Sequence, residues 1–153
     1  MADPKPLNLI DMETISEAIL QMVAQYPDLP FTATAQNIVW QNTPPDGGMG
    51  IIPLPNGAFY VSQYLSGSYV AQVPFRIIYR ANPTTNPGRI EKENLVHDLS
   101  AWMETCTATF TNARIQLQKI ERTSPVYKSQ AQESGYEDYT CTLTLKYFYK
   151  KGR

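Results

Sequence analysis

The longest regular pattern in the chain runs from Tyr69 to Arg80. Its odd positions are Tyr69, Ala71, Val73, Phe75, Ile77 and Tyr79, while the even positions hold Gln72, Pro74, Arg76 and Arg80, with Val70 and Ile78 as exceptions. A period of two places alternate side chains on opposite faces, so this segment predicts a long strand with one apolar face. Just upstream, Phe59, Val61, Gln63 and Leu65 share one face, and Tyr60, Ser62 and Tyr64 the other. Ser66-Gly67 separates the two runs, and glycine is free to take the positive φ that a tight turn needs. Together they predict a hairpin. Pro74 removes a ladder donor, which predicts an edge or a bulge there.

Two further strands are expected. Residues 112–121 turn Ala113, Ile115 and Leu117 inward, and residues 136–149 alternate Tyr139, Cys141, Leu143, Leu145, Tyr147 and Tyr149 with Thr140, Thr142, Thr144 and Lys146. A shorter strand ending at Trp40 is expected within 31–40, and 123–135 reads as an exposed connection.

A second periodicity marks helices. Over 11–26, Met12, Ile15, Ile19, Met22, Val23 and Tyr26 recur at three- and four-residue steps. Asp11 is a candidate N-cap and Thr14–Glu17 a candidate capping box; Pro27 stops the helix. Residues 87–106 carry a second stripe of Leu95, Leu99, Trp102, Met103 and Cys106. An antiparallel sheet of about four strands, with a long hairpin, then needs cover for its apolar face, and the two amphipathic helices provide it. The expected fold is therefore α+β, a two-layer sandwich forming a single domain over 1–153.

The stretch 41–57 contains four prolines and four glycines, which predicts no regular element there. Met49, Ile51, Ile52 and Leu54 make it too apolar for a solvated linker. It packs on its own domain or on a partner, and its prolines favour the partner by lowering the cost of ordering an arm. The candidate contact residues are Trp40, Pro44, Pro45, Met49, Ile51, Ile52 and Leu54 from this region, with Tyr60, Tyr64, Pro74 and Tyr127. The competing expectation is that they complete the chain's own core, as Trp102 and most strand aromatics do.

Composition narrows the function. A net charge of −1 argues against nucleic-acid binding. No apolar run reaches the ~18 residues of a membrane span, and the N-terminal stretch lacks an apolar signal core, so a cytoplasmic protein with reduced Cys106 and Cys141 is expected. His97 is the single histidine, and no His or Cys pair sits at metal-ligand spacing. His97 and Cys106 would stand about 13.5 Å apart along an ideal helix, too far to act as a pair. Gly47-Gly48-Met49-Gly50 precedes no helix that could cradle phosphate, and reads as flexibility. Glu137 and Asp138 point to opposite strand faces and form no acid/base dyad. Lys146, Lys150, Lys151 and Arg153 read as a solvated tail. Neither catalysis nor a cofactor or metal is expected.

The N-terminal helix, the segment MGIIPLPNGAFYVSQYLSGSYVAQVPFRIIYR (49–80), the helix NPGRIEKENLVHDLSAWMET (86–105) and the terminal LTLKYFYK (143–150) together resemble small proteins of tailed bacteriophages and phage-tail-like particles. These are described as minor capsid or tail terminator proteins. The resemblance implies an α/β domain that assembles with itself as a hexameric ring on the head-proximal end of a tail tube. Its partners would be the tail tube protein and a sheath or neck/connector protein, with no membrane and no direct nucleic-acid specificity. It would reside in a virion or phage-like particle tail, assembled in the bacterial host cytoplasm. A head-completion or neck adaptor of the same particle is the nearest alternative, and a free-standing small binding domain a further one.

Overall fold

The computed structural model describes residues 8–31, 37–44, 47–55, 58–128 and 135–151, with 8–11 described by backbone alone. In chain order the elements are β1 (Asn8–Met12), α1 (Ile15–Ala24), β2 (Ile38–Trp40), β3 (Gly48–Pro53), β4 (Tyr60–Gln63), β5 (Tyr69–Ala81), α2 (Asn86–Met103), β6 (Thr107–Phe110), β7 (Ile115–Arg122), β8 (Tyr127–Lys128) and β9 (Glu137–Tyr149).

The axis of the fold is the pair β5 and β9, which run antiparallel over their full length, from Tyr69 opposite Tyr149 to Ala81 opposite Glu137. Each long strand carries two shorter ones on its outer side. β4 and β3 line up end to end along β5, and β7 and β8 do the same along β9. β6 and β1 extend the sheet beyond β7, and β2 extends it beyond β3; β1 runs parallel to β6 and β2 parallel to β3, so the sheet is mixed rather than the purely antiparallel one expected. The sheet thus has nine strands among the described residues, against the about four expected from alternation. The missed strands are short, and short strands carry too few positions for a period to register.

The odd positions of β5 meet inward residues of β9: Phe75 opposite Leu143, Ile77 opposite Cys141, Tyr79 opposite Tyr139. On this face lies one hydrophobic cluster, closed by Ile19, Met22 and Val23 of α1 and by Val96, Leu99, Trp102 and Met103 of α2. The α+β, helix-on-sheet arrangement is therefore as expected, with both helices on the same side.

Four local expectations need correction. Asp11 lies in β1, not at a helix start; Thr14 caps α1, its hydroxyl accepting the Glu17 N–H at 3.0 Å. Helix α2 ends at Met103 and leaves Cys106 beyond it, while Thr85 caps its start and Pro87 occupies the first turn, where no donor is needed. Ala113 is exposed, because β7 begins at Ile115 and a bulge between Leu117 and Lys119 shifts its register to bury Ile120. The 123–135 connection contains β8, paired to β9 at Tyr127 opposite Thr140.

Pro74 is neither on an edge strand nor at a bulge: β5 is flanked on both sides. Its carbonyl accepts the Leu54 N–H at 2.8 Å, so its nitrogen faces the same side. That side is the gap where β4 pairing ends at Ala71 and β3 pairing starts at Phe75. The missing N–H falls where the ladder changes strands, which is how a central strand tolerates proline.

The 41–57 stretch contains the other large correction. Gly48–Pro53 is a six-residue strand paired to β2 and β5. Gly50 is there for close approach: a Cβ at that position would collide with the Asn42 carbonyl of the segment crossing over it. The glycine string therefore serves backbone packing rather than flexibility.

Candidate interaction surface

The β4–β5 hairpin turns through Tyr64–Ser68. The Tyr64 N–H donates to the Ser68 carbonyl and the Gly67 N–H to the Tyr64 carbonyl, both at 2.9 Å. Gly67 adopts φ +91°, a left-handed conformation that disfavours other residues, and a Cβ there would also run into the Lys151 side chain. The Ser68 hydroxyl accepts the Lys151 N–H at 3.0 Å, so the backbone just after β9 is tied to the hairpin.

This hairpin leaves its apolar side chains outside. Phe59, Tyr60, Val61 and Tyr64 are 45–51% exposed, and Leu65 at the tip is fully so. A bulge between Tyr60 and Ser62 is what breaks the expected alternation, since one extra residue re-aims the side chains that follow. Phe59 and Tyr60 meet edge to face at 4.9 Å, Tyr60 does the same with Tyr69 at 5.0 Å, and Tyr69 stacks on Tyr149 at 5.0 Å. Tyr64 leans on Phe148 at 6.2 Å. The Tyr147 hydroxyl beneath is pushed up to about 12 by burial first and by its neighbours Tyr69 and Tyr60 second, so it stays protonated.

The candidate contact residues separate into two groups. Tyr60 and Tyr64 come together on the hairpin, and Tyr127 stands apart on β8 at 40% exposure. Met49 and Ile51 are fully buried in the core, so they offer a partner nothing. Pro44 is buried as well, its carbonyl accepting from Arg80 at 3.3 Å. Trp40 packs on the core from β2, while Ile52, Leu54 and Pro74 are half-buried in the sheet. Pro45 lies outside the described residues. Phe59, Val61, Leu65 and Ile90, the last 56% exposed on α2, are exposed apolar residues that the pattern missed. Val61 is the bulged residue of β4, Phe59 and Leu65 lie just outside that strand, and in α2 a single isoleucine among charges gives no stripe.

The opposite end of the sheet is ionic. Arg80 grips Asp138 with two bonds, Nε to Oδ1 at 2.8 Å and a terminal nitrogen to Oδ2 at 3.0 Å. Its own pKa is raised, chiefly by that hydrogen bond. Glu137 receives Lys128 at 2.9 Å and Arg89 at 3.1 Å, which ties α2 and β8 to β9. The Lys128 bond, foremost, and the Arg89 bond hold its carboxyl below the usual range despite burial. The two acids face different partners, as expected for adjacent strand residues.

A groove of ≈ 690 Å³ holds His97, Glu104 and Arg122. Arg122 bonds Glu104 at 2.8 Å and His97 Nδ1 at 3.1 Å; because guanidinium only donates, Nδ1 is the acceptor. The Ser124 hydroxyl, which also lines it, donates to the Pro125 carbonyl and accepts the Thr142 N–H. These groups are engaged with each other rather than aimed at a common point. Cys106 and Cys141 are buried thiols in no disulfide, and burial raises Cys141. No cluster of metal-ligating side chains occurs among the described residues, and no helix there is long and apolar enough to cross a membrane. The class these features define is a helix-on-sheet protein with an exposed aromatic hairpin at one end and an ionic clasp at the other. No known family model and no curated protein matches the chain.

Proposed function

We propose that the chain is a structural protein that assembles with itself as a closed, hexameric ring and caps the head-proximal end of a phage or phage-like tail tube. The observation that carries the reading is the hairpin: five exposed apolar residues, Phe59, Tyr60, Val61, Tyr64 and Leu65, in one contiguous segment. Contiguous exposed apolar patches of this kind are often functional and mark protein contacts. The resemblance of residues 49–80, 86–105 and 143–150 to tail terminator proteins supplies the particular partner. In this role the ring ends tube growth by steric blockade, without turnover, and offers its outer face to a sheath or neck protein.

The test is negative-stain electron microscopy of the purified protein, alone and mixed with tail tubes of its own particle. Rings, with added density at one tube end, are the expected result. Protein that neither forms rings nor decorates tube ends refutes the reading, and binding to the portal or connector instead moves it to a neck adaptor.

A further inference from the structure

Besides the hairpin, the described surface offers an apolar recess, a groove of ≈ 510 Å³ between α2 and the segment after α1. Ile90, Leu95, Pro87 and Pro30 line it, with Tyr26 at the base. That volume lies in the range that accepts a small organic ligand, enough for a leucine and a tyrosine side chain. Its rim carries Asp28, Glu91 and Asp98 against a single Lys92. The hairpin has the opposite charge around it. Lys150 lies beside Tyr64 and Ser68, and the Lys151 side chain rests over Gly67.

Knob and groove cannot meet within one chain. The hairpin tip adjoins Tyr69 and Tyr149, while α2 follows directly after Ala81 and binds Glu137 through Arg89. Thirteen-residue strands separate these two ends, a span of about 40 Å. The bulge at Val61 also spoils the free edge of β4 for strand addition.

We propose that the Tyr64–Leu65 knob of one subunit inserts into the Ile90 groove of a second copy, with the basic collar meeting the acidic rim. Each chain then gives a knob to one neighbour and a groove to the other. This is a heterologous, head-to-tail contact, the kind that closes into a ring. It deepens the ring reading and rests on it. Three rings about half exposed, each of roughly 200 Å² in full, contribute about 300 Å² before Leu65 and Val61 are added. With the groove used in turn by the other neighbour, every subunit engages both surfaces.

The experiment uses the full chain and sedimentation velocity. Leu65→Asp and Ile90→Asp both change exposed side chains, so circular dichroism and thermal melting should match the parent. Each variant alone should lose assembly, its dissociation constant rising at least about 30-fold, as for a central anchor. Mixed together, the two should form a dimer, since the first retains its groove and the second its knob, and the double variant should remain monomeric. A mixture of Leu65→Cys and Ile90→Cys chains should cross-link between subunits on mild oxidation. If the parent forms rings and either Asp variant still does, the knob-and-groove contact is wrong while the ring stands. A parent that stays monomeric at high concentration overturns both. Open filaments uphold the contact and refute closure.

Discussion

Asp138 and Glu137 are neighbours in sequence, both buried and both paired, yet their neutralisation should cost very different amounts. The difference lies in the partners. Arg80, bound to Asp138, has 17% of its side chain exposed, whereas Arg89 and Lys128, bound to Glu137, have 41% and 48%. Asp138→Asn keeps the shape, removes the charge and turns an amide donor towards a guanidinium that can only donate. Arg80 is then left largely out of water with one amide oxygen and the Pro44 carbonyl as acceptors but no counter-charge, and a buried charge left uncompensated costs about 3 kcal/mol or more. Glu137→Gln leaves two cations that can swing into solvent, so the loss should be about 1 kcal/mol, as for half-exposed pairs. Urea unfolding at pH 7 measures both, read as a shift in midpoint at unchanged slope. Equal losses, or a larger loss for Glu137→Gln, would refute the claim that partner exposure sets the cost. The pH dependence gives an independent check. The folded Glu137 carboxyl is depressed, so its contribution is complete above the ordinary glutamate range and fades as pH falls through the lower folded value. Glu137→Gln should therefore flatten the acid limb of the stability curve, narrowing its difference from the parent as pH drops below about 4.5.

Deleting residues 44–55 should abolish the fold rather than leave a domain deficient in assembly, because it removes β3 with Met49 and Ile51; loss of the cooperative melt is the readout. Leu143→Ala should cost about 2–5 kcal/mol in urea unfolding, since Leu143 is fully buried opposite Phe75, and Leu143→Asp should prevent folding outright. Val73→Asp should be milder than Leu143→Asp, because Val73 is only partly covered. Gly67→Ala should destabilise by about 1 kcal/mol or more through its positive φ and the crowding of Lys151, with amide exchange rising first around the Tyr64–Ser68 turn. Cys141 should resist a thiol reagent in the native state at pH 8 and react only at the rate of opening, since burial holds its thiol above the ordinary value.

The parts of the fold that the sequence made legible are those with many repeats of one period. β5 and β9 are each thirteen residues, so their alternation survives exceptions such as Val70 and Ile78. Those two exceptions are themselves informative: Ile78 is 8% exposed on the far sheet face, which the Gln41–Pro44 segment partly covers near Gly48 and Gly50. A strand buried on both faces has no polar positions to alternate with, and GMGIIP shows the same effect in β3. Its glycines and prolines carry the signature of breakers, although here glycine admits a crossing backbone and Pro53 ends the strand.

Contact residues were less legible than the core for a related reason. The residue types that anchor partners, tyrosine, tryptophan and isoleucine, also fill interiors, and composition cannot distinguish the two uses. The segment of Met49 and Ile51 lacks a period and so leaves surface and core both open, whereas the period of Phe59, Val61 and Leu65 predicts one ordered face; the first pair is buried and the second group exposed. In both segments the backbone departs from regularity, at a crossing in one case and a bulge in the other. The exposed hairpin is thus in part a product of irregular backbone: one extra residue at Val61 turns that side chain away from the alternation, while Tyr64 and Leu65 stand in the turn beyond the strand, where another chain can take them.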